Sequence, residues 1–381
     1  MDNYPIMTEE QKEFVDLFEI ILKDELAPIT AEYDQKGEYP MHVAQKLFDA
    51  GLYGLNVPKK FGGLGLDYKT MAILKETVAR TDAGFAFSFF AGSGIMDMLQ
   101  SCATEEQQAY VAKRILEDHA YTAFCLTEAE AGSDAANIRT TAQKVGDEYI
   151  LNGTKCFITN APIADIFVVA ATVDRSLKHK GISFFLVEKK HGLKVGKHEE
   201  KMGLRLSPTA EVILEDVHIP AANLLGQEGK GFSYSMKTLE ISRPINIANA
   251  VGAAQAALNY AVEYAKTRKT FGVHIIQHQG VGFLLAEMQA KVHAARSMVW
   301  LTAEMADRGL PLGTLSSSTK FFASELCMQV AIDAVQVVGG YGYMREYPLE
   351  KYMRDMKIFS IFEGTNQINR MVVAGQLATQ K

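Results

Sequence analysis

The spacing of apolar residues changes period twice along this chain, so its fold must supply a helical layer, a sheet and a second helical layer in that order. To about residue 120 the period is helical. Thr8 with Gln11, and Thr104 with Gln107, are capping-box signatures of helix starts. After the first, Phe14, Leu17, Phe18, Ile21 and Leu22 fall on one helical face. Asn56-Val57-Pro58 and Phe61-Gly62-Gly63-Leu64-Gly65 read as an irregular glycine-rich connection between helices. Short β-branched and aromatic runs then take over: Glu148 to Leu151, Ile166 to Ala171, Ile182 to Val187 and Val212 to Leu214. Gly146-Asp147, Asn152-Gly153 and Lys180-Gly181 divide several of them, as hairpin and loop signals do. Few helical runs intervene, which favours an antiparallel barrel or sandwich over a parallel α/β sheet. Pro220 and the segment from Gly226 to Gly231 close this part. Beyond it, Val251, Ala254, Leu258, Ala261 and Ala265 form one helical stripe, and Leu284, Met288, Val292, Ala295 and Val299 another. Their small or flexible side chains suit close bundle packing. The expected class is α+β, multidomain and mostly α: a helical domain over 1–121, a central antiparallel β domain over 122–231 and a helical bundle over 232–381.

Composition narrows the function. A length of 381 residues exceeds one ordinary hydrophobic core. Hydrophobic residues at 48% and charged residues at 22% describe a soluble globular protein. A net charge of −6 argues against non-specific nucleic-acid binding. Met1-Asp2-Asn3-Tyr4-Pro5 lacks the pattern of a signal peptide, and no run reads as membrane-spanning. Cys102, Cys125, Cys156 and Cys327 have neither metal-site nor disulfide-framework spacing, so buried free thiols are expected. These features predict a cytoplasmic protein with no nucleic-acid or membrane partner.

Three stretches could carry chemistry. In Ile361-Phe362-Glu363-Gly364-Thr365-Asn366-Gln367 a single carboxylate stands between apolar residues and a glycine. Apolar surroundings make a carboxylate a stronger base, and glycine allows a sharp turn or close ligand approach. The plain alternative is a half-exposed acid at a helix end, with Thr365 capping the next helix. In Phe124-Cys125-Leu126-Thr127-Glu128-Ala129-Glu130-Ala131-Gly132-Ser133-Asp134 a strand-like start meets a small-residue turn that can offer N–H groups and the Ser133 hydroxyl to an anion. It carries neither nucleotide-binding glycine fingerprint, and a simple helix cap and turn explains it equally. In Phe157-Ile158-Thr159-Asn160 an aromatic and a hydroxyl share a strand face, able to hold a flat ring or merely to pack.

Together these stretches resemble the acyl-CoA dehydrogenase family from end to end. The 124–134 segment is similar to its first signature, and 157–160 to its flavin-facing strand. Arg268-Lys-Thr-Phe-Gly272 with His278-Gln279, Gln336-Val-Val-Gly-Gly340, and Tyr347 to Asp355 leading into Phe362-Glu-Gly-Thr365 are also typical. The resemblance implies an N-terminal α-helical domain, a central β-barrel domain and a C-terminal four-helix bundle. It further implies a homotetramer with one FAD per subunit. Phe124, Leu126, Thr127, Phe157 and Thr159 would face the flavin, and Gly132 and Ser133 the diphosphate and the CoA arm. Arg268, Phe271, Gln279, Gln336 and Gly340 would reach a neighbouring subunit's FAD, Thr365 and Gln367 the near one. Arg268 is a fixed cation suited to a diphosphate.

The implied reaction is α,β-dehydrogenation of an acyl-CoA to the 2-enoyl-CoA, with Glu363 taking the α-proton, its N–H holding the thioester carbonyl, and hydride passing to the flavin. An enoyl-CoA reductase running in reverse, or a flavin oxidase or monooxygenase on the same fold, are the alternatives. Phe157 stands where many relatives have tryptophan. Ser242 occupies the position where some relatives carry their base. Ala222 replaces an acidic residue with which some dock the electron-transferring flavoprotein, the expected partner. Phe85 to Ile95 should help line the acyl pocket, with Phe89, Phe90, Arg243, Gly364 and Ser133 as substrate contacts. That segment has no Lys or Arg, which argues against a dicarboxylate. Its bulk suggests a short, blunt cavity for short, branched or alicyclic acyl groups.

Overall fold

The computed structural model describes residues 7–379; the Met1–Pro5 terminus lies outside them. The first layer comprises α1 (Glu9–Ile21), α2 (Thr30–Lys36), α3 (Met41–Asp49), α4 (Tyr68–Thr81), α5 (Ala83–Cys102) and α6 (Glu105–Asp118). Both capping boxes form, on α1 and α6. The inner face of α1 is rotated from the expected one: Val15, Phe18 and Leu22 are buried, and Leu17 is exposed. Gln11 explains the rotation, because its amide is buried and donates to Thr70 Oγ1 of α4 at 2.9 Å. A satisfied polar group can face inward. Helix α5 is apolar on nearly every side because it runs between other elements. Asp82 caps it by accepting from the Phe85 N–H at 2.8 Å.

Strands β1 (Thr122–Cys125), β2 (Thr141–Val145), β3 (Glu148–Thr159), β4 (Ile166–Thr172), β5 (Ile182–Glu188), β6 (Lys194–His198), β7 (Thr209–Pro220) and β8 (Leu224–Leu225) form the central sheet. Their order is β6-β7-β3-β2-β4-β5-β8, with β1 attached to β4. Most pairings are antiparallel, but β1 and the first residue of β2, Thr141, both pair parallel to β4. β1 thereby emerges beside β4 and delivers the 126–134 loop to one end of the sheet. All seven β4 residues are buried, as expected for a strand covered on both faces.

Helices return with α7 (Gly231–Thr267). A small hairpin of β9 (Lys269–Thr270) and β10 (Val273–His274) follows, then α8 (Gln279–Asp307), α9 (Thr314–Val338), α10 (Leu349–Met356) and α11 (Asn366–Thr379). The stripe of Val251, Ala254, Leu258, Ala261 and Ala265 is buried in α7 as expected. On α8 four of the five expected residues are buried, with Leu285 rather than Leu284 as the fifth. Helix α9, with the turn after it, is long and apolar enough to cross a membrane, contrary to the reading that no run approaches that length. Its apolarity comes from packing against α7, α8, α10 and α11, and it buries Lys320 and Asp333. The cysteines are free, three buried and Cys102 half-buried.

Candidate active site

Helix α7 carries Pro244 in its interior. Proline has no N–H, so the carbonyl four residues earlier loses its helical partner. That carbonyl, of Glu240, accepts from Ser316 Oγ of α9 at 2.5 Å. The helix therefore continues, and Ser242, Arg243 and Asn246 project toward the segment between α10 and α11. Gly252 lets α4 lie close against the same helix, since a Cβ there would fall 2.2 Å from the Glu76 carbonyl oxygen.

Glu363 sits in that segment with φ at +57°, and Gly364 follows at +80°. A left-handed glutamate costs energy that its surroundings must offset. They do so through the main chain. Arg243 Nε donates to the Glu363 carbonyl at 2.9 Å, and Lys320 Nζ and Asn369 Nδ2 donate to that of Gly364 at 2.7 and 2.9 Å. The side chain is held as well. Ser242 Oγ donates to Oε2 at 3.1 Å and Asn246 Nδ2 to Oε1 at 3.0 Å. Lys75 Nζ donates to Asn246 Oδ1 at 2.7 Å. An ammonium only donates, so it fixes which end of the amide faces Glu363. The Glu363 N–H has no acceptor among the described residues.

The carboxylate is thus less apolar in its setting than the run around it implied. Thr365 does cap α11, accepting from the Ile368 N–H at 3.2 Å. Asn246→Leu removes one of two donors to the carboxylate. It is expected to slow flavin reduction about 10- to 100-fold, the equivalent of losing a charged hydrogen bond of about 1.5–3 kcal/mol. Anaerobic rapid-mixing measurements on the variant check this.

Glu363 lines a cavity of about 350 Å³ with Phe124, Phe157, Thr159, Phe87, Phe90, Phe362, Lys75, Asp97, Tyr68 and Ile241, Ser242, Ile245 and Asn246 of α7. Phe157 lies at an irregularity of the β3–β7 pairing with φ at +59° and is 64% exposed. An aromatic ring so exposed beside the Thr159 hydroxyl fits a flat heteroaromatic group laid against it. Phe87 stacks on Phe362 with centroids 4.7 Å apart.

The 126–128 turn is clamped from below. Lys155, fully buried, donates to the Leu126 carbonyl at 3.1 Å and to Glu128 Oε1 at 2.7 Å. The Thr127 carbonyl accepts from the Cys156 N–H at 2.9 Å. Gly132 and Ser133 follow on an exposed stretch outside the cavity. A second, more open cavity of about 520 Å³ on the bundle is lined by Arg268, Thr270, His278, Gly340 and Tyr341, and shares no residue with the first. Beside it Phe271 is 97% exposed, and Gln279 and Gln336 are exposed on the first turn of α8 and late in α9.

Three expectations need correction. Phe89 does not line the cavity. It is buried against Phe18, Phe48, Tyr53 and Phe85, because successive helical residues point about 100° apart and α5 alternates core and cavity faces. Arg243 spends its Nε on the Glu363 backbone, so its visible role is to hold the base's segment. The absence of charge in the Phe85–Ile95 segment does not carry over to the cavity: Lys75 from α4 and Asp97 from later in α5 both line it. Sequence reading missed these two, together with Asn246, Lys155 and Lys320. Of the five, Asp97, Lys155 and Asn246 lie within four residues of positions singled out in the sequence (Ile95, Phe157 and Ser242), whereas Lys75 and Lys320 do not.

Comparison with known proteins agrees over the whole chain. Models of the acyl-CoA dehydrogenase N-terminal, middle and C-terminal domains match residues 8–118, 123–217 and 229–378. The chain belongs to the acyl-CoA dehydrogenase family. It is 40% identical over 358 residues to the caffeyl-CoA reductase–Etf complex subunit CarC of Acetobacterium woodii, covering 93% of this chain and 94% of that one. The structure of butyryl-CoA dehydrogenase from Megasphaera elsdenii superposes with a TM-score of 0.94 at 39% identity, over 98% of this chain and 99% of that one. The FAD complex of PigA superposes with a TM-score of 0.91 at 28% identity, over 98% of each chain. This acyl-CoA dehydrogenase family member is an oxidoreductase with FAD as its cofactor.

Proposed function

We propose that the enzyme interconverts an acyl-CoA and its 2-enoyl-CoA, with Glu363 as the base that takes the C2 proton. The observation that carries this reading is that the carboxylate shares one cavity with Phe157 and Thr159, where the flavin ring fits, while its own N–H is unspent. FAD supplies the acceptor for the C3 hydrogen, transferred as hydride. The chain supplies the rest. The Glu363 N–H donates to the thioester carbonyl, stabilising the charge that develops on its oxygen. Ser242 and Asn246 hold the carboxylate in one orientation, and Phe87, Phe90 and Phe362 keep water from it. Ser242, at the position where other relatives carry a base, serves here as a donor to Glu363.

The same groups run the reaction in either direction, and a relative named as a reductase supports keeping both. Dehydrogenation is the reading we adopt, with an electron-transferring flavoprotein as partner, in keeping with the Etf complex of that relative. We also propose a homotetramer. The exposed Phe271, Phe283 and Tyr343 of the bundle support it, as does the open cavity holding Arg268 and Gly340. A cytoplasmic location accords with the sequence.

The test is anaerobic mixing of the yellow enzyme with a panel of acyl-CoAs. Bleaching of the flavin by at least one, with re-oxidation by ferrocenium and slow turnover with oxygen, is the expected result. Rapid oxygen turnover would instead make the protein an oxidase, and no bleaching by any thioester would remove the reading.

A further inference from the structure

The cavity holding Glu363 does not end at the phenylalanines of α5. Tyr68, Lys75, Phe90, Gly94, Asp97 and Ile245 also line a third cavity, of about 320 Å³, whose further walls include Asn56, Gln100 and Asp67. The charged residues common to both linings are Lys75 and Asp97. Neither is fully satisfied by protein. An ammonium has three N–H donors, and Lys75 spends one on Asn246 Oδ1. Asp97 accepts one long bond, 3.3 Å, from Asn56 Nδ2. They form no direct ion pair with each other. Burial pushes Lys75 down to about 8 and Asp97 up to about 6, and each partly counteracts the other's shift. A donor and an acceptor, each with bonding capacity left over, therefore line the cavity that holds Glu363.

Both are half-buried, so a ligand that reaches them takes the place of their solvent. An alkyl terminus would displace water from both groups and replace none of its hydrogen bonds. A carboxylate would pair with Lys75 but meet the Asp97 carboxylate. A hydroxyl accepts from Lys75 and donates to Asp97. We propose that the enzyme selects an acyl group bearing a hydroxyl at its far end, held between Lys75 and Asp97. This rests on the acyl-CoA reading above and specifies its substrate class.

The experiment pairs each of a series of ω-hydroxyacyl-CoAs with the acyl-CoA that has a methyl group in place of the hydroxyl. Binding is read from the flavin spectrum of the FAD-loaded Glu363→Gln enzyme, and reduction rates are measured on the unmodified enzyme. For the best-fitting chain length the hydroxylated member is expected to lead by about tenfold or more, since a site built to bond a hydroxyl discriminates strongly against its absence. Asp97→Leu, which leaves both donors to Glu363 in place, should reverse the preference. Asp97→Asn, which keeps the shape, should weaken it. Lys75→Met should reduce the ratio in addition to any effect on overall rate. Equal or better performance by the methyl members, or a ratio unchanged by both Asp97 variants, overturns the inference while leaving the dehydrogenase reading intact. If no thioester of either kind binds or bleaches the flavin, both fall together.

Discussion

Glu363→Gln is expected to slow flavin reduction by a bound acyl-CoA about 10²- to 10⁴-fold, the usual worth of a positioned general base. Glutamine has nearly the same size and shape, so the left-handed turn, the Arg243 and Lys320 bonds to the main chain and the free N–H of residue 363 should all survive. Only the ability to accept a proton is lost. One further consequence is local. The amide nitrogen must face either Ser242 Oγ or Asn246 Nδ2, both of which donate to the carboxylate. The serine can turn its hydroxyl to accept, whereas Lys75 holds the Asn246 amide in its donating orientation. The variant side chain should therefore settle with its oxygen toward Asn246 and remain ordered. FAD content and acyl-CoA affinity should stay within a few-fold of the parent. Anaerobic rapid mixing separates the two quantities, because the spectral change on binding precedes bleaching. A reduction rate within a few-fold of the parent would exclude Glu363 as the base, whatever happened to binding.

What the sequence made legible was whatever repeats locally. Capping boxes at Thr8 and Thr104, the hairpin signal at Gly146 and the alanine stripe of α7 depend on neighbours within a few residues, and each appears in the structure; Asn152-Gly153 instead lies inside β3, at an irregularity of its pairing with β7. The family motifs located Glu363, Phe157 and Thr159, which the fold gathers around one cavity. Contacts made across elements were not legible. Lys75 and Asn246 are 171 residues apart, and Lys320 reaches Gly364 from 44 residues away. In the sequence each reads as an ordinary polar position on a helix. Their meaning depends on α4 and α9 both packing on α7, which periodicity cannot specify. The phenylalanines of α5 show the converse error. Their closeness in sequence suggests one pocket wall, yet helical geometry sends Phe85 and Phe89 to the core and Phe87 and Phe90 to the cavity. A cavity wall is a helical face and has to be counted in threes and fours.

Lys155→Met is expected to be the most destabilising single change near the flavin site, costing about 3–5 kcal/mol, as removal of one partner from a buried ion pair does. Lys155 is fully buried and Glu128 is 7% exposed. Without the ammonium, Glu128 would keep only the N–H groups of Arg139 and Thr140, at 2.5 and 3.0 Å. The Leu126 carbonyl would lose its bond at 3.1 Å. The turn carrying Leu126 and Thr127 is then released, so FAD retention should fall along with the denaturation midpoint. The pH dependence has a defined sign. Burial pushes the Glu128 carboxyl up, but the Lys155 charge and the hydrogen bonds outweigh it and hold the group below its ordinary 4.5. A carboxyl depressed in the folded state binds its proton less readily there than when unfolded. Its stabilisation is complete above about 4.5 and is lost as pH falls through the folded value. The stability gap between parent and Lys155→Met should therefore be widest near neutrality and narrow in acid. Urea unfolding at the two pH values measures it. Lys155→Met combined with Glu128→Leu should recover much of the loss, because two apolar partners leave no charge stranded. A gap that is constant with pH and not reduced by the second substitution would mean that Lys155 acts through packing alone.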